Sequence, residues 1–232
     1  MAVRQLNIPQ GYALFEKHSH ATRMHRHYGI ELIYCHQGCF DLITPWRKYM
    51  RIQGAIIPSN MPHAFRCEDS NCQLLFLDPL SDIGRYVMDS GMGGTPEIST
   101  NIRHIEFLFQ NLGLAKSSPD DRIYEGARLD WRIQKCLTII HQGLTDSDLS
   151  IKRLCSVSFL SESRLSHLFA KQVGVPIRQY VLWNRLAFAI SRTLDGDTLT
   201  SAGHAAGFVD SSHFHKVFLR MFGSSPFKAL KN

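Results

Sequence analysis

No Cys-x-x-Cys pair occurs among the six cysteines Cys35, Cys39, Cys67, Cys72, Cys136 and Cys155. No N-terminal stretch joins a basic start to a long apolar run, and no apolar run approaches the roughly 18 residues a membrane span requires. The expectation is therefore a soluble, cytoplasmic chain with reduced thiols and no membrane partner. Net charge is missing from the first part of the chain: residues 1–132 hold 14 Lys+Arg and 14 Asp+Glu. Residues 133–232 hold 12 against 6, so the whole net charge of +6 lies there. A neutral region joined to a basic one suits a nucleic-acid binder with a separate sensing or assembly module, because phosphate neutralisation supplies affinity without regard to sequence.

From Tyr12 to about Leu77 the chain shows short β-prone runs between turn residues. Ile30–Cys35 ends near Gly38, Phe40–Ile43 at Pro45, Ala55–Ile57 at Pro58 and Leu74–Leu77 at Asp78–Pro79. Evenly spaced short strands predict a sandwich or barrel. Residues 80–95 read as a Gly-rich interruption. Beyond it, Ile102, Ile105 and Phe109, then Leu129, Ile133, Leu137 and Ile140, fall at helical spacings, with a break at residues 117–121. Such a helix pair would pack on the barrel or offer a dimer surface.

From Ser150 onward the pattern is helical and it repeats. A shift of 49 residues lays Phe159 on Phe208, Ser163 on Ser212, Leu165 on Phe214, Phe169 on Phe218 and Gly174 on Gly223. Each copy has the layout of a helix-turn-helix. In the first, Ile151–Ser158 is the supporting helix, Phe159–Leu160 the turn, and Ser161 the N-cap of a helix running to about Gln172. In the second, Ser201–Ala206 supports, Gly207–Phe208 turns, and Asp210 caps a helix running to about Met221. Apolar residues fall on one face of each second helix. The opposite faces carry Ser163, Arg164, Ser166, His167 and Lys171, or Ser211, Ser212, His215 and Lys216, types that reach base edges and phosphates.

The motifs Ser161-x-x-x-Leu165-Ser166-x-Leu168-Phe169, Gly174-x-Pro176, Arg185-x-x-x-Ala189 and Gly207-Phe208-x-Asp210-x-Ser212-x-Phe214 resemble the DNA-binding domain of the AraC/XylS transcription regulators. The resemblance covers residues 133–232. It implies two helix-turn-helix units joined by a linker helix at about Ile177–Leu194, which would set two recognition helices into successive major-groove turns. It further implies double-stranded DNA and a small-molecule effector as partners, and it admits RNA polymerase, a second copy of the chain and a role in activation. One departure stands out: Ala202–Gly203 occupies the place of a large aliphatic residue and Ala. Glycine within a helix costs about 1 kcal/mol relative to alanine, so the second unit is expected to be the looser one and to contribute less.

In the first region, His25-x-His27-x-x-x-Glu31 followed by Gly38, and Gly54–Pro58 followed by His63, resemble the two motifs of the cupin superfamily. The fold class expected is α+β. A cupin-like β-barrel with packed helices would occupy residues 1–132 and an all-α domain residues 133–232. The resemblance to metal-binding cupins implies that His25, His27, Glu31 and His63 would converge as N/O ligands suited to a divalent transition metal. The same four would equally serve a metal-free effector pocket or strand structure, and no other cofactor is suggested. His18 and His20 would crowd the mouth of that pocket. The alternative class, a metal-dependent cupin enzyme fused to a DNA-binding tail, finds no separate acid, base or nucleophile at a telling spacing.

Overall fold

A computed structural model describes residues 2–7, 12–91, 97–112, 129–146 and 149–230. Two units are present, residues 1–124 together with 218–232, and residues 125–217. The break expected at residues 117–121 lies outside the described residues.

The first unit is built from β1 (Ala2–Asn7), β2 (Tyr12–Lys17), β3 (His20–Ala21), β4 (Ile30–Gln37), β5 (Phe40–Ile43), β6 (Lys48–Ile52), β7 (Gly54–Ile57), β8 (Ala64–Cys67) and β9 (Asn71–Leu77). They form a five-stranded sheet in the order β1-β2-β9-β4-β7 and a four-stranded sheet in the order β3-β8-β5-β6, with every pairing antiparallel. Among the described residues the two sheets do not close into the barrel expected from sequence. The edges of the smaller sheet are ill-suited to closure. β3 has two residues, and β6 turns Lys48, Met50 and Arg51 to solvent, the charged kind of edge that resists further pairing. Pro58 and Pro62, which lack an amide hydrogen, flank the connection to β8.

Two helices cover the five-stranded sheet, α1 (Asp82–Gly91) and α2 (Ile102–Leu112). Val87, Ile105, Leu108 and Phe109 join Leu14, Ile30, Leu32, Ile56, Leu75 and Leu77 in one buried core. α1 replaces much of the glycine-rich interruption expected there. Ile83, Tyr86 and Val87 give it a helical apolar stripe, and Gly84 fits where a Cβ would collide with the Asp78 carbonyl.

The second unit holds α3 (Trp131–Gln142), α4 (Ile151–Ser158), α5 (Glu162–Val173), α6 (Ile177–Leu194), α7 (Leu199–Ala205) and most of α8 (Ser211–Phe222). The last turn of α8 and α9 (Pro226–Leu230) belong to the first unit. Side-chain caps start most of these helices. Asp130, Ser150, Thr198 and Asp210 each accept a hydrogen bond from a first-turn amide, the last at 2.7 Å from His213. Ser161 stands at the N-cap of α5 but makes no capping hydrogen bond, contrary to expectation. Thr198 caps the supporting helix of the second unit, which starts at Leu199, two residues earlier than expected.

The two turns show that the repeat changes register. Phe159 and Gly207 both take the left-handed conformation, at φ 54° and 78°. The amides of Leu160 and Phe208 both close back five residues, onto the carbonyls of Cys155 and Gly203. Supporting helices and turns are therefore related by 48 residues and recognition helices by 49, with one extra residue in the second turn. Leu154 corresponds to Ala202, and Cys155 to Gly203. The aliphatic group missing at this position leaves no void: the Phe214 ring lies where a Cβ on Gly203 would be 3.3 Å from its Cγ, and Phe214 is buried.

Arg185 of α6 ties the α3–α4 connection to the second turn. Its Nε donates to the Leu144 carbonyl and its Nη1 to the Gly207 carbonyl, both at 3.0 Å. A lysine ammonium is a single point charge on a flexible stem and does not reproduce this fork. Arg185→Lys is expected to lower unfolding stability by about 2 kcal/mol, the order of one charge-assisted hydrogen bond. Urea denaturation would read it, and an unchanged midpoint would show that the fork contributes nothing.

Candidate metal centre and nucleic-acid interface

Glu31 is the second residue of β4, and the chain entering that strand carries His25 and His27. His63 lies opposite His25, and the two exchange backbone hydrogen bonds of 2.9 Å as an isolated antiparallel bridge. All four side chains are buried, and one ligand atom from each lies within 4.8 Å of the others. The sequence-predicted set is thus brought together in full.

Each imidazole is oriented through Nδ1. His25 faces the Arg23 carbonyl at 2.9 Å, His27 the Gly29 carbonyl at 2.9 Å, and His63 the Met61 carbonyl at 2.8 Å. A carbonyl only accepts, so each Nδ1 carries the hydrogen and each Nε2 of a neutral ring is a lone pair. The Nε2 atoms of His27 and His63 nevertheless lie 3.2 and 2.9 Å from one oxygen of Glu31, Oε2. Two ring lone pairs and a carboxylate oxygen meet in one buried spot, an arrangement that calls for a cation between them, either protons or a metal ion. Burial works against the Glu31 carboxylate, but hydrogen bonds from His27 and His63, made when those rings carry a second proton on Nε2, outweigh it and hold its pKa well below the usual range. Burial also lowers the pKa of His27, and it takes that of His25 down to about 3, helped by the neighbouring His63 and His27. The donor set of three imidazoles and one carboxylate fits a divalent transition ion.

His25 contributes to the pH dependence of the metal-free protein, beside His20 and His27, whose pKa values burial also lowers. Its folded pKa, about 3, lies below its unfolded value of 6.5, so the unfolded state binds the extra proton between these limits. Its contribution is complete above about pH 6.5 and falls as pH drops toward 3. The loss from His25 by pH 5 is expected to be about 2 kcal/mol. Urea titrations with a chelator at pH 7.5 and 5 would measure it, and His25→Asn should remove that share and leave the rest. A dependence as steep in His25→Asn as in the unsubstituted chain would contradict the assignment.

Around the cluster stand Phe15, Phe65, Leu74 and Phe76, with Phe218, Phe222 and Ala229 from the C-terminal segment of the same unit. The Phe222 ring lies 5.6 Å from Phe76 and 6.3 Å from His27, centroid to centroid. Gly223 accepts a hydrogen bond from the Arg23 amide at 2.9 Å. A Cβ there would come within 2.6 Å of both the Arg23 carbonyl and His25 Nδ1, so only glycine fits the seat. The remaining cavity is about 30 Å3, which is the share of liquid volume of about one water. Lys17 and His20 also line it, and burial lowers their pKa values to about 8 and about 4. Sequence reasoning missed Lys17: a lysine on a short alternating strand carries no signal until the strand is placed. His18 lies apart from the cluster, facing Asn71 on the surface.

The candidate DNA-facing residues are all exposed: Ser161, Ser163, Arg164, Ser166, His167 and Lys171 at and along α5, and Ser211, Ser212, His215 and Lys216 on α8. Leu165 and Phe169, or Phe214, Val217 and Phe218, are buried behind them. Leu160, Ser163, Arg164, His167 and Leu168 line an open groove to which α3 contributes Arg132, a cation the sequence reading did not single out.

Residues 154–232 match the family described as "Helix-turn-helix domain". The probable transcriptional regulator LumQ of Photobacterium leiognathi is 35% identical over 79 residues, 34% of this chain and 32% of that protein. The arabinose operon regulatory protein of Escherichia coli is 30% identical over 99 residues, 42% of this chain and 34% of that protein. The chain thus spans about a third of the length of these curated relatives. The uncharacterized HTH-type transcriptional regulator YobQ of Bacillus subtilis is 26% identical over 208 residues, 87% of this chain and 86% of that one. In fold the chain resembles ToxT from Vibrio cholerae, with a TM-score of 0.63 at 14% identity over 95% of this chain and 98% of that one. A further ToxT structure, bound to an unsaturated fatty acid, gives 0.62 at 12% identity, covering 98% and 96%. The C-terminal part of the chain is a helix-turn-helix domain, and its sequence relatives are transcription regulators.

Proposed function

We propose that this chain is an AraC-type transcription regulator that binds specific sites on double-stranded DNA through α5 and α8, and that its first unit receives the controlling signal. The observation that carries this reading is the pair of helix-turn-helix units in the basic region, each with a capped or buried supporting helix and an exposed polar recognition face. Duplex DNA is the principal partner. RNA polymerase and a second copy of the chain are those a cytoplasmic regulator of this type would meet. Among the described residues no helix is long and apolar enough to cross a membrane.

The signal is most simply a divalent transition ion held by His25, His27, Glu31 and His63. Bound there, it would supply a fixed positive charge joining strand β4 to the Met61–His63 turn, and no catalytic step is required of it. Lys17 among apolar side chains favours a second effector class, an apolar carboxylate of the kind ToxT holds as a fatty acid. A cavity of about 30 Å3 admits such a molecule only after Phe222 and its neighbours move.

Fluorescence anisotropy of the full chain on duplex DNA tests the reading. Affinity should fall steeply with salt, and Lys171→Ala and Lys216→Ala should each reduce the slope of log affinity against log salt by about 1. No affinity at low salt, or affinity indifferent to salt, would overturn it.

A further inference from the structure

Three of the six cysteines, separated in sequence, meet inside the first unit. Cys35 on β4 and Cys72 on β9 are direct register partners, and their sulfurs lie 3.0 Å apart with Cys72 as donor. Directly opposed antiparallel residues have Cα atoms about 4.5 to 5.5 Å apart, within the span a disulfide accepts. Forming the bond therefore asks the sulfurs to close by about 1 Å and asks nothing of the strand register. Cys67, on β8 of the other sheet, is the third thiol. Its thiol donates to the His18 carbonyl at 3.7 Å, so Cys67 borders the pair without sharing its hydrogen bond, and all three sulfurs are buried.

We propose that Cys35 and Cys72 form a reversible disulfide when the protein meets a peroxide. Two thiols lose two protons and two electrons, one S–S bond forms, and the peroxide O–O bond breaks to give two waters. A small dithiol reverses the step by thiol–disulfide exchange, leaving its own disulfide. The thiolate of one of the pair attacks the peroxide to give a sulfenic acid and the first water, and the sulfur of the other displaces the second water to close the S–S bond. The site abuts the pocket, because Cys72 is the register partner of Lys17 and Cys67 that of His20. The bond would therefore lock the strand that faces Lys17.

Treating the native full-length chain with millimolar hydrogen peroxide, then alkylating and mapping peptides by mass spectrometry, tests the proposal. The expected result is a loss of two hydrogens per chain, a crosslinked peptide joining Cys35 to Cys72, and full return of both thiols with dithiothreitol. Cys35→Ser and Cys72→Ser should each abolish the crosslink, and Cys67→Ser should leave it in place. Six alkylatable thiols after treatment, a crosslink that leaves Cys35 free, or loss of the crosslink in Cys67→Ser would each overturn the proposal.

Discussion

Alanine at His63 is expected to strip the chain of a bound divalent transition ion, weakening its affinity by about 100-fold or more. Loss of even an outer partner of a metal ligand costs roughly 10- to 100-fold, and His63 would be a direct ligand. Its Nδ1 is fixed on the Met61 carbonyl, so its Nε2 points at Glu31 with no other role for the lone pair. His27→Ala should behave alike, since its ring is held the same way by the Gly29 carbonyl. Glu31→Gln keeps the size but removes the anion and should also fail to hold the ion. His20→Ala is the control: His20 lines the cavity but lies outside the ligand set, so the ion should be retained. Elemental analysis of protein grown in metal-replete medium should find about one equivalent in the unsubstituted chain, as four convergent donors imply. Metal-free protein from such medium would end the metal reading and leave the pocket to an organic ligand.

Removing Ser166 and His167 together is expected to lower the ratio of specific to non-specific DNA affinity by about 30-fold or more, since each base contact is worth roughly 1 to 3 kcal/mol. Sequence alone predicts a smaller effect for His215 and Lys216, because Ala202–Gly203 reads as a thin support. The packing says otherwise. Gly203 is the residue that lets the Phe214 ring sit flush on the supporting helix, and Asp210 caps α8 at 2.7 Å whereas α5 has no side-chain cap. The second pair should therefore reduce the ratio to a comparable degree. Its measurement needs fixed salt, because Lys216 also stands to contact phosphate. A second pair that leaves the ratio unchanged while the first lowers it would mean that α8 is not ordered on DNA.

Where sequence and structure agree, a local rule was sufficient. The linker helix is bounded by Pro176 and the Asp195–Asp197 turn, and Ile177–Leu194 is the helix observed. The cupin-like spacing, two histidines on the chain entering a strand that carries the glutamate, brought the four donors together as expected. Misses fall where non-local packing decides. β6 carries no buried side chain, so nothing in its pattern marks a strand; it exists because β5 pairs with it. α1 was hidden by glycines, one of which is there for close approach to Asp78. A constant 49-residue shift concealed the extra residue of the second turn, because Phe159 and Phe208 look equivalent although Phe159 takes the role of Gly207. The Phe159 side chain is 80% exposed and that of Phe208 only 3%. The thiol network was invisible for a related reason: Cys35 and Cys72 become neighbours only through strand register.

The Arg185 fork bears on what an operator could look like. α6 runs for 18 residues, about 27 Å at the usual rise, and the fork fastens it to the α3–α4 connection on one side and to the second turn on the other, so the two recognition helices are joined by packed structure and not by a free tether. A tethered pair of domains would follow two half-sites as they are moved apart along the duplex. This pair would not: inserting about five base pairs carries the second half-site to the opposite side of the double helix, and recognition there should vanish, returning in part only when a full turn of about ten is added and looping permits.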